Sequence, residues 1–258
     1  MSPRWVEPFY RNPHLVSLSL TAVSDVPFDL SDPFWRQLER LDVQVESPFH
    51  GQHGSSIAAF LQNFPFPAGQ VRLRRLSVTT QLQTRFVSSP RALQDIVTAL
   101  ISTFSHAPLE SLAFDDHASC ESEDLARLAA GFPALRSLSL GDRMVWNGSR
   151  RDLLSSLAPL TSLETLSCRL LPVVPPSLFD SLPSPKADES VCEGDDLEQF
   201  ASPASIALEA ATVLPALALV GFSGQSSAVE WFRVRRDAES QPCEVEAVTL
   251  VDLDLDRP

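Results

Sequence analysis

One short pattern recurs along the chain and constrains its fold more than any other feature: an apolar residue, two variable ones, an apolar residue, a variable one and a third apolar residue. It occurs at Leu15, Leu18 and Leu20, at Leu38, Leu41 and Val43, at Leu73, Leu76 and Val78, and at Leu109, Leu112 and Phe114. Further copies lie at Leu135, Leu138 and Leu140, at Leu163, Leu166 and Cys168, at Leu217, Val220 and Phe222, and at Val245, Val248 and Leu250. The last two apolar positions are separated by one residue, as a short strand with one buried face requires. A single strand of this kind cannot bury its face alone, so eight copies in order predict strands stacked side by side in parallel.

The first anchors are spaced by 23, 35, 36, 26, 28, 54 and 28 residues. A unit of roughly 20–29 residues accounts for most of these, with insertions in the intervals of 35 and 36. The interval of 54 reads either as two units, one with a degenerate strand, or as one unit with a long excursion. Pro13, Pro108, Pro133 and Pro215 stand one or two residues ahead of first anchors. A proline there stops a preceding helix and leads into extended chain. Helix-like stretches fall between the strands, at residues 56–64, 91–104, 121–132, 151–160, 204–214 and 226–236. In the clearest, Leu93, Ile96, Val97, Leu100 and Ile101 share one helical face.

Over residues 12–255 this pattern resembles the leucine-rich-repeat superfamily, in particular the ribonuclease-inhibitor-like arrays of fungal proteins that often follow an F-box. The resemblance implies an α/β fold, an irregular leucine-rich-repeat solenoid with parallel strands on its concave face and helices on its convex face. It would occupy residues 1–258 as one domain of about 8–9 repeats. Family members usually carry Asn or Cys three positions after the last strand leucine; here those places hold Val23, Glu46, Gln81, His117, Arg143, Leu171, Gln225 and Leu253. Without an asparagine ladder the coils are expected to be less regular and the curvature uneven. Nothing in residues 1–14 reads as an F-box or a capping helix; either these residues, with Trp5, Phe9 and Tyr10, fold over the first coil, or, the reading slightly preferred, the natural chain once extended further.

Residues 172–203 are rich in Pro, Ser and acid, and their middle, 183–196, is expected to be a flexible acidic insertion with too little apolar surface to order itself. A short helix at 177–182 is compatible with the pattern. At 251–256, Asp252, Asp254 and Asp256 alternate with apolar residues and read as an edge that discourages further pairing.

The net charge of −13 argues against nucleic-acid binding, which needs clustered cations. No run approaches the ~18 apolar residues of a membrane span, and the N-terminus lacks the apolar core of a secretory signal. Cys120, Cys168, Cys192 and Cys243 are too widely spaced for a metal knuckle and read as free thiols of a reducing, intracellular compartment, cytoplasmic or nuclear. Neither His50 with His53 nor the Asp115, Asp116 and His117 run has the composition of a metal site, and no phosphate-cradling or nucleophile motif is present. The sequence therefore implies no catalysis, no cofactor, no metal and no membrane, and a monomer. Nineteen of the 20 basic residues are arginine and one, Lys186, is lysine. A GC-rich genome accounts for that bias; avoidance of ubiquitin-accepting lysines is the sharper alternative.

In each copy the third and fifth positions, and the residue two beyond, should point to the concave face. The candidate partner-binding residues are Arg40, Asp42, Arg75, Ser77, Asp115, Ser137, Ser139, Thr165 and Arg169, with Arg40, Arg75 and Arg169 as anchors. The function expected is a protein–protein interaction scaffold with a protein partner. The resemblance and the lysine-poor surface suggest the substrate-recognition part of a ubiquitin-ligase adaptor. The alternative is a truncated or decaying repeat product with no specific partner.

Overall fold

The computed structural model describes residues 16–23, 37–46, 58, 61, 71–81, 91–115, 118–141, 144–169, 202–223 and 229–249. In chain order these form β1 (Ser17–Val23), β2 (Arg40–Glu46), β3 (Arg75–Gln81), β4 (Arg91–Ala92), α1 (Gln94–Phe104), β5 (Ser111–Asp115), β6 (Ala118–Glu121) and α2 (Ser122–Gly131). There follow β7 (Ser137–Leu140), β8 (Val145–Asn147), α3 (Arg150–Leu157), β9 (Thr165–Cys168), α4 (Pro203–Val213), β10 (Leu219–Ser223), β11 (Val229–Arg236) and β12 (Pro242–Val248). The protein is a mixed α/β structure built on a nine-stranded, mostly parallel open sheet in the order β1-β2-β3-β5-β7-β9-β10-β11-β12.

The first seven strands of this sheet are the first seven motif copies, and their register is invariant. Leu18 pairs with Leu41, Leu41 with Leu76, Leu76 with Leu112, Leu112 with Leu138, Leu138 with Leu166 and Leu166 with Val220. One backbone feature repeats at each step. The carbonyl at the second motif position accepts from two successive amides of the next copy. Val16 O accepts from Glu39 N (2.8 Å) and Arg40 N (3.0 Å), and Glu39 O from Arg74 N (2.8 Å) and Arg75 N (3.0 Å). The same fork recurs from Arg74, Glu110, Arg136 and Glu164, the last receiving Ala218 N and Leu219 N. Side chains at that place need not bond the neighbouring coil, because the backbone already does so. The strands keep one register from β1 to β10, although Val23, Glu46 and Gln81 stand at the described asparagine places.

Alternation explains the core. In β5, β7 and β9 every second residue is buried, and the buried ones are the motif's apolar positions. Leu38, Leu73, Leu109, Leu135, Leu163 and Leu217, the first anchors, are buried as well. Each large apolar side chain so buried contributes roughly 1.5–3 kcal/mol by leaving water. From the other side α1 supplies Ile96, Val97, Leu100 and Phe104, α2 Leu125 and Leu128, α3 Leu153, Leu154 and Leu157, and α4 Ile206 and a run of alanines. Sheet and helices share one core cluster that runs from Leu18 to Val234. Of the helix expected at 56–64, Ala58 and Leu61 are described; both are helical and buried, and the Leu61 carbonyl accepts from Thr103 Oγ1 at 3.0 Å.

A second sheet carries no signal in the motif pattern. The short strands β4, β6 and β8 pair in parallel, and they run directly into α1, α2 and α3. Residues 91 and 92, expected to be helical, belong to it. The helices then start on local signals. α2 opens on a capping box between Glu121 and Asp124, α3 on one between Ser149 and Asp152, and α4 on Ser202 followed by Pro203. Ends fall at Phe104, Gly131 and Val213, ahead of Pro108, Pro133 and Pro215.

Two expectations fail at the C-terminal end. Residues 226–236 were expected to be helical; 229–236 form β11, antiparallel to β10. The reason is the alternation of Phe232 and Val234, buried, with Arg233 and Arg235, exposed, in a stretch rich in aromatic and β-branched residues. The eighth motif copy therefore does not continue the parallel stack. Its Val245 and Val248 lie in β12, paired antiparallel with β11. The expected all-parallel array is seven parallel strands ending in an antiparallel ribbon. Arg236 secures that ribbon. Its Nη2 donates to the carbonyls of Ala211 (3.2 Å), Leu214 (3.0 Å) and Leu217 (3.3 Å), and Nη1 donates to Ser240 O (3.1 Å).

The 54-residue interval is resolved by the sheet order. β9 and β10 are direct neighbours, with no strand between them, so the interval is one unit carrying a long excursion. Arg150 of α3 and Glu209 of α4 pair at 2.9 Å across the same junction. The insertion at 183–196, the helix at 177–182 and the edge at 251–256 lie outside the described residues.

Candidate protein-binding face

The face of the nine-stranded sheet opposite the helices presents its side chains in rows, because the register does not slip from β1 through β11. One row reads Ser17, Arg40, Arg75, Ser111, Ser137, Thr165, Leu219, Arg233. The next reads Ser19, Asp42, Ser77, Ala113, Ser139, Ser167, Gly221, Trp231. A third begins Thr21, Gln44, Thr79, Asp115.

All nine candidate residues belong to this face or its margin. Arg40, Arg75, Ser137 and Thr165 share the first row, and Asp42, Ser77 and Ser139 share the second. Asp115 closes β5, and Arg169 follows β9 directly. Arg40 and Arg75 are exposed; the other seven are half-buried. Arg40 Nε donates to Asp42 Oδ2 at 2.9 Å, so this arginine is held by its own strand. Gly141 leaves room for Asp115, since a Cβ there would lie 2.2 Å from Asp115 Oδ1.

Three features of this region are not among the residues the sequence singled out. Trp231 lies over Gly221. A Cβ on Gly221 would come within 2.8–2.9 Å of three carbons of the indole, so only glycine lets the ring rest on β10. The signal was the Trp-Phe-Arg-Val alternation, legible once 229–236 is taken as a strand. Arg233 and Arg235 share the open face, and Arg235 pairs with Glu246 at 2.6 Å. Along the margin where the strands begin, the second motif positions form a ladder of alternating charge: Glu39, Arg74, Glu110, Arg136, Glu164. Arg74 Nη1 pairs with Glu110 at 3.0 Å, and Arg136 pairs with Glu164. These neighbours hold the Arg136 guanidinium above its ordinary range, Glu164 by hydrogen bond and charge and Glu110 by charge.

Three titratable groups inside the fold are shifted by burial. Burial pushes the Cys168 thiol up to about 12, and burial with Asp124 and Glu121 nearby raises Cys120 further. Thiols so protonated are poor nucleophiles and poor metal ligands. Burial also raises the Asp124 carboxyl, against the backbone N–H of Glu121 that it accepts in the capping box. Among the described residues no group of three or more His, Cys, Asp and Glu is placed to hold a metal ion, and no buried side-chain N or O lacks a hydrogen-bond partner. No helix among them is long and apolar enough to cross a membrane.

No family model matches the chain, and no curated protein matches it.

Proposed function

We propose that the chain is a leucine-rich-repeat solenoid and that it works as a protein-binding scaffold through the open, concave face of its sheet. The observation that carries this reading is the invariant register of β1 to β10, which lines up arginine, serine and threonine side chains from the first six of these seven strands into one surface. A face so built offers area and hydrogen-bonding groups to a large partner, and its charges belong to residues on rigid strands. In its specific form the scaffold is the substrate-recognition part of a ubiquitin-ligase adaptor, supported by the repeat pattern and the single lysine. The alternative of a decaying product predicts a loose interior; the unbroken core cluster from Leu18 to Val234 favours the scaffold.

The test is proximity labelling in the native cell with wild type and with the variant R40E/R75E/R169E. A partner set lost in the variant, with its fold intact by circular dichroism, supports the reading. An unchanged set moves binding to the helices or the 172–203 excursion and overturns it. For the adaptor form, a Skp-type linker or cullin component must be in the set.

A further inference from the structure

We propose that the occupant of this face is an extended, acidic polypeptide segment, clamped between Arg75 and Arg233, with an apolar side chain packed on Trp231. The inference rests on the open face being the binding surface and adds what the partner must carry.

The cations of the face divide by whether they are already satisfied. Arg40 is taken by Asp42 and Arg235 by Glu246. Glu246 stands directly across from Arg233 in the register, yet its partner is Arg235. Among the described residues Arg75 and Arg233 are exposed and have no ion-pair partner. They occupy the same row, five strand steps apart, with Ser111, Ser137, Thr165 and Leu219 between them. At a strand spacing of about 4.8 Å the two are about 24 Å apart.

An exposed guanidinium that makes no ion pair, in a chain of net charge −13, marks where an anion is most readily received. Two of them at this separation select for spacing. An extended chain advances about 3.4 Å per residue, so it covers the gap in about seven residues. Alternate side chains face one way, and carboxylates about six or eight residues apart therefore reach both arginines from one side. The hydroxyls of Ser111, Ser137 and Thr165 lie under the intervening backbone. Trp231 is two residues before Arg233 on the same strand face, held over Gly221 and half-buried, so part of its indole is open to an apolar residue beside the second acid.

The probe is a set of synthetic peptides of serine and glycine with two glutamates, one flanked by leucine, spaced six residues apart or two. Binding to the full chain is read at low ionic strength by tryptophan fluorescence, with Trp231→Phe identifying the responding indole. The six-spaced peptide is expected to bind about tenfold more tightly than the two-spaced one. R75A/R233A should reduce it to the two-spaced level, and R75K/R233K should keep part of the preference. Equal binding of the two spacings, undiminished binding to a folded R75A/R233A, or tighter binding of oligothymidylate or phosphatidylserine vesicles than of the six-spaced peptide would overturn the proposal. If the peptides fail while R40E/R75E/R169E still loses its partners in the cell, the binding face stands and the acidic-segment inference alone falls.

Discussion

Arg74 Nη1 donates to Glu110 Oε1 at 3.0 Å, although the two residues are 36 positions apart in the chain. They meet because each occupies the second place of its motif, and the backbone fork stacks that place from one copy onto the next. Glu39, Arg74, Glu110, Arg136 and Glu164 thereby alternate in sign along one margin of the sheet. Each exposed pair contributes little alone, so the consequence is register: a one-unit slip would set like charges side by side.

Reversing one member tests whether the ladder acts as a unit. Glu110→Arg places three cations in succession and should lower the melting temperature by about 2–4 °C at low salt, with most of the loss abolished at high salt. Swapping the pair, R74E/E110R, should not restore stability, because the arginine introduced at the second place of its motif then faces Arg136. Recovery should require inverting the whole ladder, E39R/R74E/E110R/R136E/E164R. Thermal unfolding followed by circular dichroism checks all three, and full recovery in the pairwise swap would mean the pairs are independent.

Gly221 and Trp231 are coupled by contact, which a double-mutant cycle can measure. Gly221→Ala should displace the indole and cost about 1–2 kcal/mol, with a red-shifted emission from Trp231. In a Trp231→Ala chain the same substitution loses its three nearest contacts and should cost clearly less. An equal cost in both backgrounds would show that the strain lies in the β10 backbone.

What could be read from the residues was what depends on local period. The motif leucines named the sheet's first seven strands and their inward side chains, and the prolines marked where α1, α2 and α4 must already have ended. The second sheet was missed because two to four residues in a strand carry no resolvable period. Residues 226–236 were misread because Val229 and Phe232 are spaced for a helix, while Phe232 and Val234 are spaced for a strand, and the repeat context favoured the helix. The charges of the ladder stand plainly in the sequence, but they become a ladder only when the register is known. Trp231 over Gly221 depends on an antiparallel pairing that no local signal specifies. On the candidate face, the row membership of Arg40, Arg75, Ser137 and Thr165 was legible from alternation, whereas Arg233 could not be placed there while its segment was taken as helical.

Arg236 ties the terminal ribbon to the end of α4. Its guanidinium reaches three carbonyls at the end of the helix and in the turn that follows, and its charge suits the helix C-terminus. Arg236→Ala should destabilise the protein by about 2–3 kcal/mol in denaturant unfolding, since part-buried carbonyls lose charge-assisted donors together. Arg236→Lys should recover about half, because one ammonium nitrogen can serve the carbonyls that Nη2 serves but cannot also reach Ser240 O as Nη1 does. Hydrogen exchange should accelerate at the end of α4 and in β11 and β12, and remain unchanged in β2 and β3.

The cysteines offer a test of burial that is independent of stability. Cys243 is exposed on β12, its Sγ donating weakly to Arg235 O at 3.5 Å. Cys120 and Cys168 are buried, and burial raises both thiols. Cys192 lies outside the described residues, so the experiment uses a Cys192→Ser chain. With iodoacetamide at about pH 8, Cys243 should be alkylated within minutes, while Cys120 and Cys168 should react only as the chain unfolds. The sign with pH follows from the same physics. A folded thiol whose ordinary range is displaced upward gains stability in its protonated form, fully present at neutral pH and lost as pH rises through its folded value. Raising the pH from about 7 to about 9 should therefore leave Cys120 and Cys168 protected. If Cys168 were labelled in step with Cys243 in folded protein, the closed packing between β9 and its helices would be wrong.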